Sequence, residues 1–305
     1  MNIKFKWLIT IIIVSLLGWY FFIKQSDYTI TFTVKTATGT VFQGVNEWVL
    51  EQKKNNSKDV YDFLERRNFD FVKYKLTNEN QELLYTWEMK SLNDSVTNVV
   101  VGIKDVNHSL YNRLTIPFVS TVFKIEQIEK IKLFKKILED HLSNFKVKLD
   151  GEKSFRKSYV AYISLKSVLQ EKAQNMIIHD ADLLGYLTKN NIKKIGHRPY
   201  LEITDWDQDN EIVSFDYCFP IPENTKYIPD QYVKFKKIPV MKGIQATYFG
   251  NYRTSDRAWF AILDYANRNN IKLQNRVLEH FLANPFNGGN ELEWEAKIII
   301  PFEDK

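Results

Sequence analysis

The chain opens with a block in which apolar positions are continuous rather than periodic. From Trp7 to Ile23 it reads WLITIIIVSLLGWYFFI, without a charged residue. A run of that length is at the lower limit for a transmembrane helix, and Phe5 and the stem of Lys24 extend it. Trp7, Trp19 and Tyr20 suit the two interfaces. Bulky Trp19-Tyr20-Phe21-Phe22 stand where a cleaved signal peptide carries small residues, so the block predicts an uncleaved anchor over residues 1–27. Lys4, Lys6 and the amino terminus precede it, and Lys24 with Asp27 follows. The positive-inside rule then predicts a single-pass membrane protein with its folded part on the extracytoplasmic side.

Beyond the block the pattern becomes amphipathic. Tyr28 to Lys35 alternates as a strand, and Thr38 to Trp48 places Val41, Phe42, Val45 and Trp48 on one side of a short helix. Phe69 to Leu76, Glu82 to Lys90 and Val96 to Lys104 alternate again, separated by Asn78-Glu79-Asn80 and Asn93-Asp94. Ile125, Ile128, Ile131, Phe134, Leu138, Leu142 and Phe145 then recur at three and four residues, the stripe of a long helix. Lys130, Lys132, Lys135 and Lys136 fall mostly off that stripe. The order predicts an α+β unit over residues 28–150, with Asp150-Gly151-Glu152-Lys153 as its boundary.

A repeat occupies the remainder, residues 155–305. RPYLEITDWDQDNEIVSFDYCFPIP (198–222) and RVLEHFLANPFNGGNELEWEAKIIIP (276–301) share an Arg, a Leu-Glu pair and a turn, and each ends a strand on Ile-Pro. A helix precedes each (Gln170 to Thr188; Ser255 to Asn269), and a strand precedes each helix (Tyr159 to Leu165; Gly243 to Phe249). Two strand–helix–strand–strand units predict one antiparallel sheet covered by two helices, with a pocket at their junction.

Composition narrows the function classes. Apolar residues at 44% and charged residues at 26% describe a folded chain. The net charge of +5 is scattered over Lys53-Lys54, Arg66-Arg67 and Lys130 to Lys136 rather than gathered on one face, so no nucleic-acid partner is expected. The single cysteine, Cys218, forms no internal disulfide or Cys-pair metal site. His108, His141, His179, His197 and His280 show no paired metal spacing, and the Asp205, Asp207, Asp209 turn lacks the Gly and terminal Glu of a calcium loop. No phosphate loop or nucleophile motif is present. No metal or cofactor is expected.

Glu279 stands out. It lies mid-strand between Leu278 and Phe281, where an unpaired carboxylate in an apolar pocket is costly. A cationic ligand, a protonated state or a partner such as Arg276 would reconcile it. Phe281 shares its face by alternation. Tyr217, Trp294, Tyr252 and Trp259 fall on elements expected around the same groove. Rings beside a carboxylate suit a flat or cationic organic molecule, although core packing is the commoner fate of any one of them.

Tyr248-Phe249-Gly250-Asn251-Tyr252 is similar to an aromatic-x-Gly-x-Tyr turn before a second helix. Leu278 to Pro285 is similar to a Glu-x-Tyr strand ending in Asn/Asp-Pro, and Ile298 to Pro301 to a closing hydrophobic-Pro strand. In that combination residues 155–305 resemble the GyrI-like family, also called the AraC-type effector-binding domain. Phe281 stands where the family usually has Tyr. The first half more loosely resembles the START-like (polyketide cyclase) fold, through strand Tyr28 to Lys35, the Val41-Phe42…Trp48 helix and the long terminal helix. The whole looks like a bacterial arrangement: a transmembrane helix, a START-like antiparallel sheet with a long C-terminal helix, then a duplicated βαββ GyrI-like domain.

The resemblance implies that Glu279 floors a ligand pocket. The expected activity is therefore membrane-anchored binding of a small hydrophobic, aromatic or cationic effector. The alternative is a hydrolase of strained or electrophilic small molecules, with Glu279 as general base and Tyr252 in place of the phenol missing at Phe281. A transcription factor is the weaker idea, because no helix-turn-helix precedes the domain.

Overall fold

A computed structural model describes residues 3–303 except Ser57, Asn68, His197 and Asp209. Two residues read above for metal binding, His197 and Asp209, therefore lie outside the described residues. Contacts divide the chain into two compact units. One comprises Met1–Lys35, Val41–Leu92 and Thr97–Leu138; the other comprises Thr36–Thr40, Asn93–Val96 and Glu139–Lys305.

The structure corrects the expected anchor. Helix α1 (Ile3–Gly18) has 16 residues, and the backbone then changes to a π-helical turn over Trp19–Ile23. Sixteen residues rise about 24 Å, short of the roughly 30 Å of a bilayer core. The turn beyond is held by the folded unit. Arg113 donates to the carbonyls of Tyr20 (3.0 Å), Phe21 (2.7 Å) and Lys24 (2.5 Å) and pairs with buried Asp27 (2.8 Å). Among the described residues no helix is long and apolar enough to cross a membrane. The transmembrane element of the fold and the single-pass membrane placement are both withdrawn on that finding. The apolar composition of Trp7 to Ile23 was legible. The change to π-helical backbone after Gly18 and the grip of Arg113 were not.

The first unit carries a five-stranded sheet in the order β1-β5-β4-β3-β2: β1 (Tyr28–Val34), β2 (Val60–Arg67), β3 (Phe71–Thr77), β4 (Glu82–Asn93) and β5 (Val96–Asp105). Helix α2 (Thr38–Asn55) is longer than the pattern predicted, and β2 and α3 (Ser109–Thr115) were not foreseen. Ile131, Phe134 and Leu138 form the buried stripe of α4 (Val122–Leu142). The Phe134 ring meets Trp87 of β4 at 4.7 Å and Trp48 of α2 at 5.9 Å, so one side chain ties both helices to the sheet.

The second unit is one eight-stranded antiparallel sheet with two helices. Its elements are β6 (Phe145–Phe155), β7 (Ser158–Val168), α5 (Lys172–Lys189), β8 (Tyr200–Asp207), β9 (Ile212–Pro220), β10 (Val233–Ile238), β11 (Met241–Gly250), α6 (Asp256–Arg268), β12 (Val277–Phe281) and β13 (Glu295–Pro301). The strand order is β10-β7-β9-β8-β12-β13-β11-β6. β6-β7-α5-β8-β9 therefore matches β10-β11-α6-β12-β13, with the junction between β8 and β12. Each repeat has one strand more than its pattern predicted, and lends it to the other: β6 pairs with β11, and β10 with β7. Strand β6 passes through Asp150-Gly151, where its register against β11 shifts and Gly151 adopts φ 75°. The turn-like residues read as a boundary thus form a glycine bulge inside a strand.

Two short connections set the curvature of this sheet. Arg156-Lys157 joins β6, at one edge, to β7, beside the opposite edge; Pro239-Val240 joins β10 to β11 in the same way. Three residue steps reach at most about 10 Å, so the two edges are drawn round towards each other. The inner face of the curl gathers Val160, Cys218, Ile238, Met241, Leu278 and Ile299 in one cluster from six strands. The outer face carries α5 and α6.

Candidate functional site

Side chains alternate along a strand, so Val277, Glu279 and Phe281 face the helices while Leu278 and His280 face the inside of the curl. Glu279 lies opposite Leu201 of β8 and Ile298 of β13, and Leu201 lies opposite Tyr217 of β9. The carboxylate therefore sits at the repeat junction in an otherwise apolar row. It is 0% exposed.

Its partners come from the starts of the two helices. Ser255, just before α6, donates its hydroxyl to the carboxylate, 2.8 Å from Oε2 and 3.0 Å from Oε1. Trp259 Nε1 donates to Oε1 at 2.5 Å. Lys172 opens α5 and is 1% exposed. It donates to Ser255 Oγ (2.9 Å) and to the Tyr252 carbonyl (3.2 Å), and its Nζ lies 3.6 Å from Asp256 Oδ1. The same Nζ stands 5.6 Å from the centre of the Trp259 ring. Burial raises the Glu279 pKa above the usual carboxylate range, against the opposing effects of the Lys172 charge and the Ser255 and Trp259 hydrogen bonds.

Five of the six residues named from the sequence gather here. Tyr252 packs on Phe281 (4.6 Å between ring centres) and on Trp294 (6.1 Å), and its hydroxyl donates to the Glu295 carbonyl (2.8 Å). Tyr217 is the exception: it donates to Asp180 of α5 at 2.6 Å. Lys172 was not foreseen, because a lysine in the polar stretch Gln170 to Asn175 reads as solvated. Ser255 was the available signal, as the first residue of a predicted helix.

Arg276, considered above as a partner of Glu279, pairs instead with Glu202. The register explains this. Leu201 and Glu279 are opposite each other, and so are Glu202 and Leu278. The Leu-Glu pairs matched in the sequence repeat are therefore offset by one residue in space, and Glu202 points to the inner face. There Lys236 bridges Glu202 (2.6 Å) and Asp216, and Ser164 donates to Asp216 at 2.6 Å. Burial acts to raise the Glu202 pKa, but Lys236 and Arg276 outweigh it and hold the group below its ordinary value.

No protein-family model matches this chain. No curated protein matches it in sequence. Solved structures are similar to it at low identity. The EcmrR C-terminal domain has 13% identity, covers 53% of this chain and 99% of its own, and gives a TM-score of 0.42. The EcmrR–DNA complex has 14% identity, covers 65% of this chain and 72% of its own, and gives 0.43. SAV2435 bound to tetraphenylphosphonium has 11% identity, covers 51% of this chain and 94% of its own, and gives 0.37. A likeness of this degree says nothing of what the present chain binds.

Proposed function

We propose that the second unit is a small-molecule-binding module whose polar centre, Glu279, recognises an organic cation. The observation that carries this is the occupant already there. The ammonium of Lys172 meets an indole face, a backbone carbonyl, the Asp256 carboxylate and the Ser255 hydroxyl, and that hydroxyl in turn donates to the buried Glu279, whose charge the ammonium also feels. Those are the groups that hold an organic ammonium: charge, cation–π contact and acceptors. Lys172 is an internal stand-in, and a ligand takes its place when the start of α5 moves aside. Competition with this built-in cation lowers apparent affinity by the fraction of molecules in which the site is vacant. As a general base, Glu279 would have to reach a substrate proton. The groups around the Lys172 ammonium match a bound cation, and none of them is placed to hold a reacting water, so no observation favours the hydrolase alternative.

The test is calorimetric titration of the full chain with benzyltrimethylammonium. Lys172→Ala should bind it at least tenfold more tightly than wild type, and Lys172→Ala/Glu279→Gln should lose that gain. Equal binding by all three proteins, or no binding by Lys172→Ala, refutes the proposal.

A further inference from the structure

The inner face of the curled sheet holds a feature that the Glu279 centre does not use. Where β7, β8, β9, β12 and β13 open beside the Arg156-Lys157 connection lies a groove of about 500 Å³. That is within the usual size of a small-molecule site, and the mouth of a barrel-like sheet is a usual place for one. Its floor is apolar and aromatic: Phe155, Tyr200, Leu278, His280 and Ile299. Tyr200 stands edge-on to Phe155 (5.4 Å) and to His280 (4.5 Å), which makes a corner of three rings. Burial, with the Arg198 charge, pulls the His280 pKa down to about 4, so the floor is neutral at pH 7.

The rim is not neutral. Arg156, Lys157, Lys237 and Lys297 line it against one carboxylate, Glu223. Glu223 is shared between Lys237 (2.9 Å) and Lys157 (3.6 Å), and Lys297 pairs outside the lining with Glu295 (3.0 Å). Arg156 is exposed at the connection that crosses the groove. Lys297 is offset by Glu295 and Asp150, and one of Lys157 and Lys237 by Glu223, so the rim keeps an excess of positive charge at the Arg156-Lys157 end. With the ring-lined floor it complements a molecule with an apolar body and a negative group at one end.

We infer that this groove is a second binding site and that it takes an aromatic organic anion, with the hydrocarbon body on the Tyr200–His280–Phe155 corner and a carboxylate or sulfonate at Arg156 and Lys157. It lies on the opposite face of β12 from Glu279 and selects the opposite charge, so it stands independently of the function proposed above.

The experiment uses the full chain and 1-anilinonaphthalene-8-sulfonate as probe, with uncharged N-phenyl-1-naphthylamine as its neutral counterpart, both measured by calorimetry. The sulfonate is expected to bind at one molecule per chain. Arg156→Glu/Lys157→Glu, both exposed positions remote from Glu279, should weaken the sulfonate at least tenfold and change the neutral amine by less than twofold. Benzyltrimethylammonium binding should be the same in this variant as in wild type, so failure at one site is distinguishable from failure at the other. Absence of sulfonate binding, several molecules bound per chain, or equal effects of the charge reversal on sulfonate and amine would overturn the inference.

Discussion

Replacing Lys172 by Met tests the electrostatics of the buried centre directly. Met keeps most of the volume and removes the ammonium. Asp256 loses its contact with Lys172 (3.6 Å) but retains Arg257 at 2.5 Å, whereas Glu279 loses the nearby positive charge that favours its ionised form. Breaking a buried ion pair from one side typically costs about 3–5 kcal/mol. Glu279 has an escape that limits this cost, because it can bind a proton. From an unfolded value near 4.5, protonation at pH 7 costs about 3 kcal/mol. Wild type already carries part of that cost, since its Glu279 pKa is raised. Loss of the hydrogen bonds to Ser255 and Tyr252 adds about 1 kcal/mol. The expected destabilisation at pH 7 is therefore about 2–4 kcal/mol. Its sign with pH follows from linkage. A raised carboxyl pKa destabilises the fold above the unfolded value, so the penalty must shrink as pH falls from 7 towards 4.5, by at most about 1.4 kcal/mol per unit. The assay is a urea titration of the full chain at pH 7 and pH 5, read by pulsed hydrogen exchange on peptides covering β12. In this way the second unit is followed by itself. Lys172→Met/Glu279→Gln should recover most of the loss at pH 7. An equal penalty at both pH values, with no rescue by the double variant, would refute the reasoning.

Two further outcomes follow from the inner face and the strand packing. Glu202 is held below its ordinary pKa, so its contribution is full above about pH 4.5 and is lost as pH falls through its folded value; Glu202→Gln should cost about 2–3 kcal/mol at pH 7 and progressively less in acid, measured by melting at pH 7 and pH 3. At Gly243 a Cβ would stand 2.0 Å from the Ile300 carbonyl oxygen of β13, so Gly243→Ala should lower stability by about 1–3 kcal/mol in a denaturant melt, whereas Ala at exposed Gly185 of α5 should not.

What the sequence disclosed follows from the range of the interactions involved. Alternation and the three–four stripe are local, so most strands and α4, α5 and α6 were legible. β6 was not, because Phe145 completed the helix stripe and Asp150-Gly151 read as a boundary; β10 was not, because VKFKKI carries lysines on both faces and reads as solvated. Glu279 and its aromatic neighbours were legible from the apolar strand around the acid. Lys172 was not, because its burial depends on where two helix starts meet. The side on which Glu202 lies depended on a one-residue offset between repeat and register, which the pattern of Leu-Glu pairs does not contain.

The lysines of β6 and β10 have a consequence for association between copies. These two strands are the edges of the eight-stranded sheet, and among the described residues each pairs with a strand on one side. An edge strand is a template for strand addition and for fibril growth. Here Lys146, Lys148 and Lys153 punctuate one edge and Lys234 and Lys237 the other, charged side chains of the kind that discourage strand addition at an edge. The curl compounds this, because the same two edges are tethered to the opposite side of the sheet by two-residue links. Assembly by extending the sheet is disfavoured twice over, and self-association of the second unit is left to its faces.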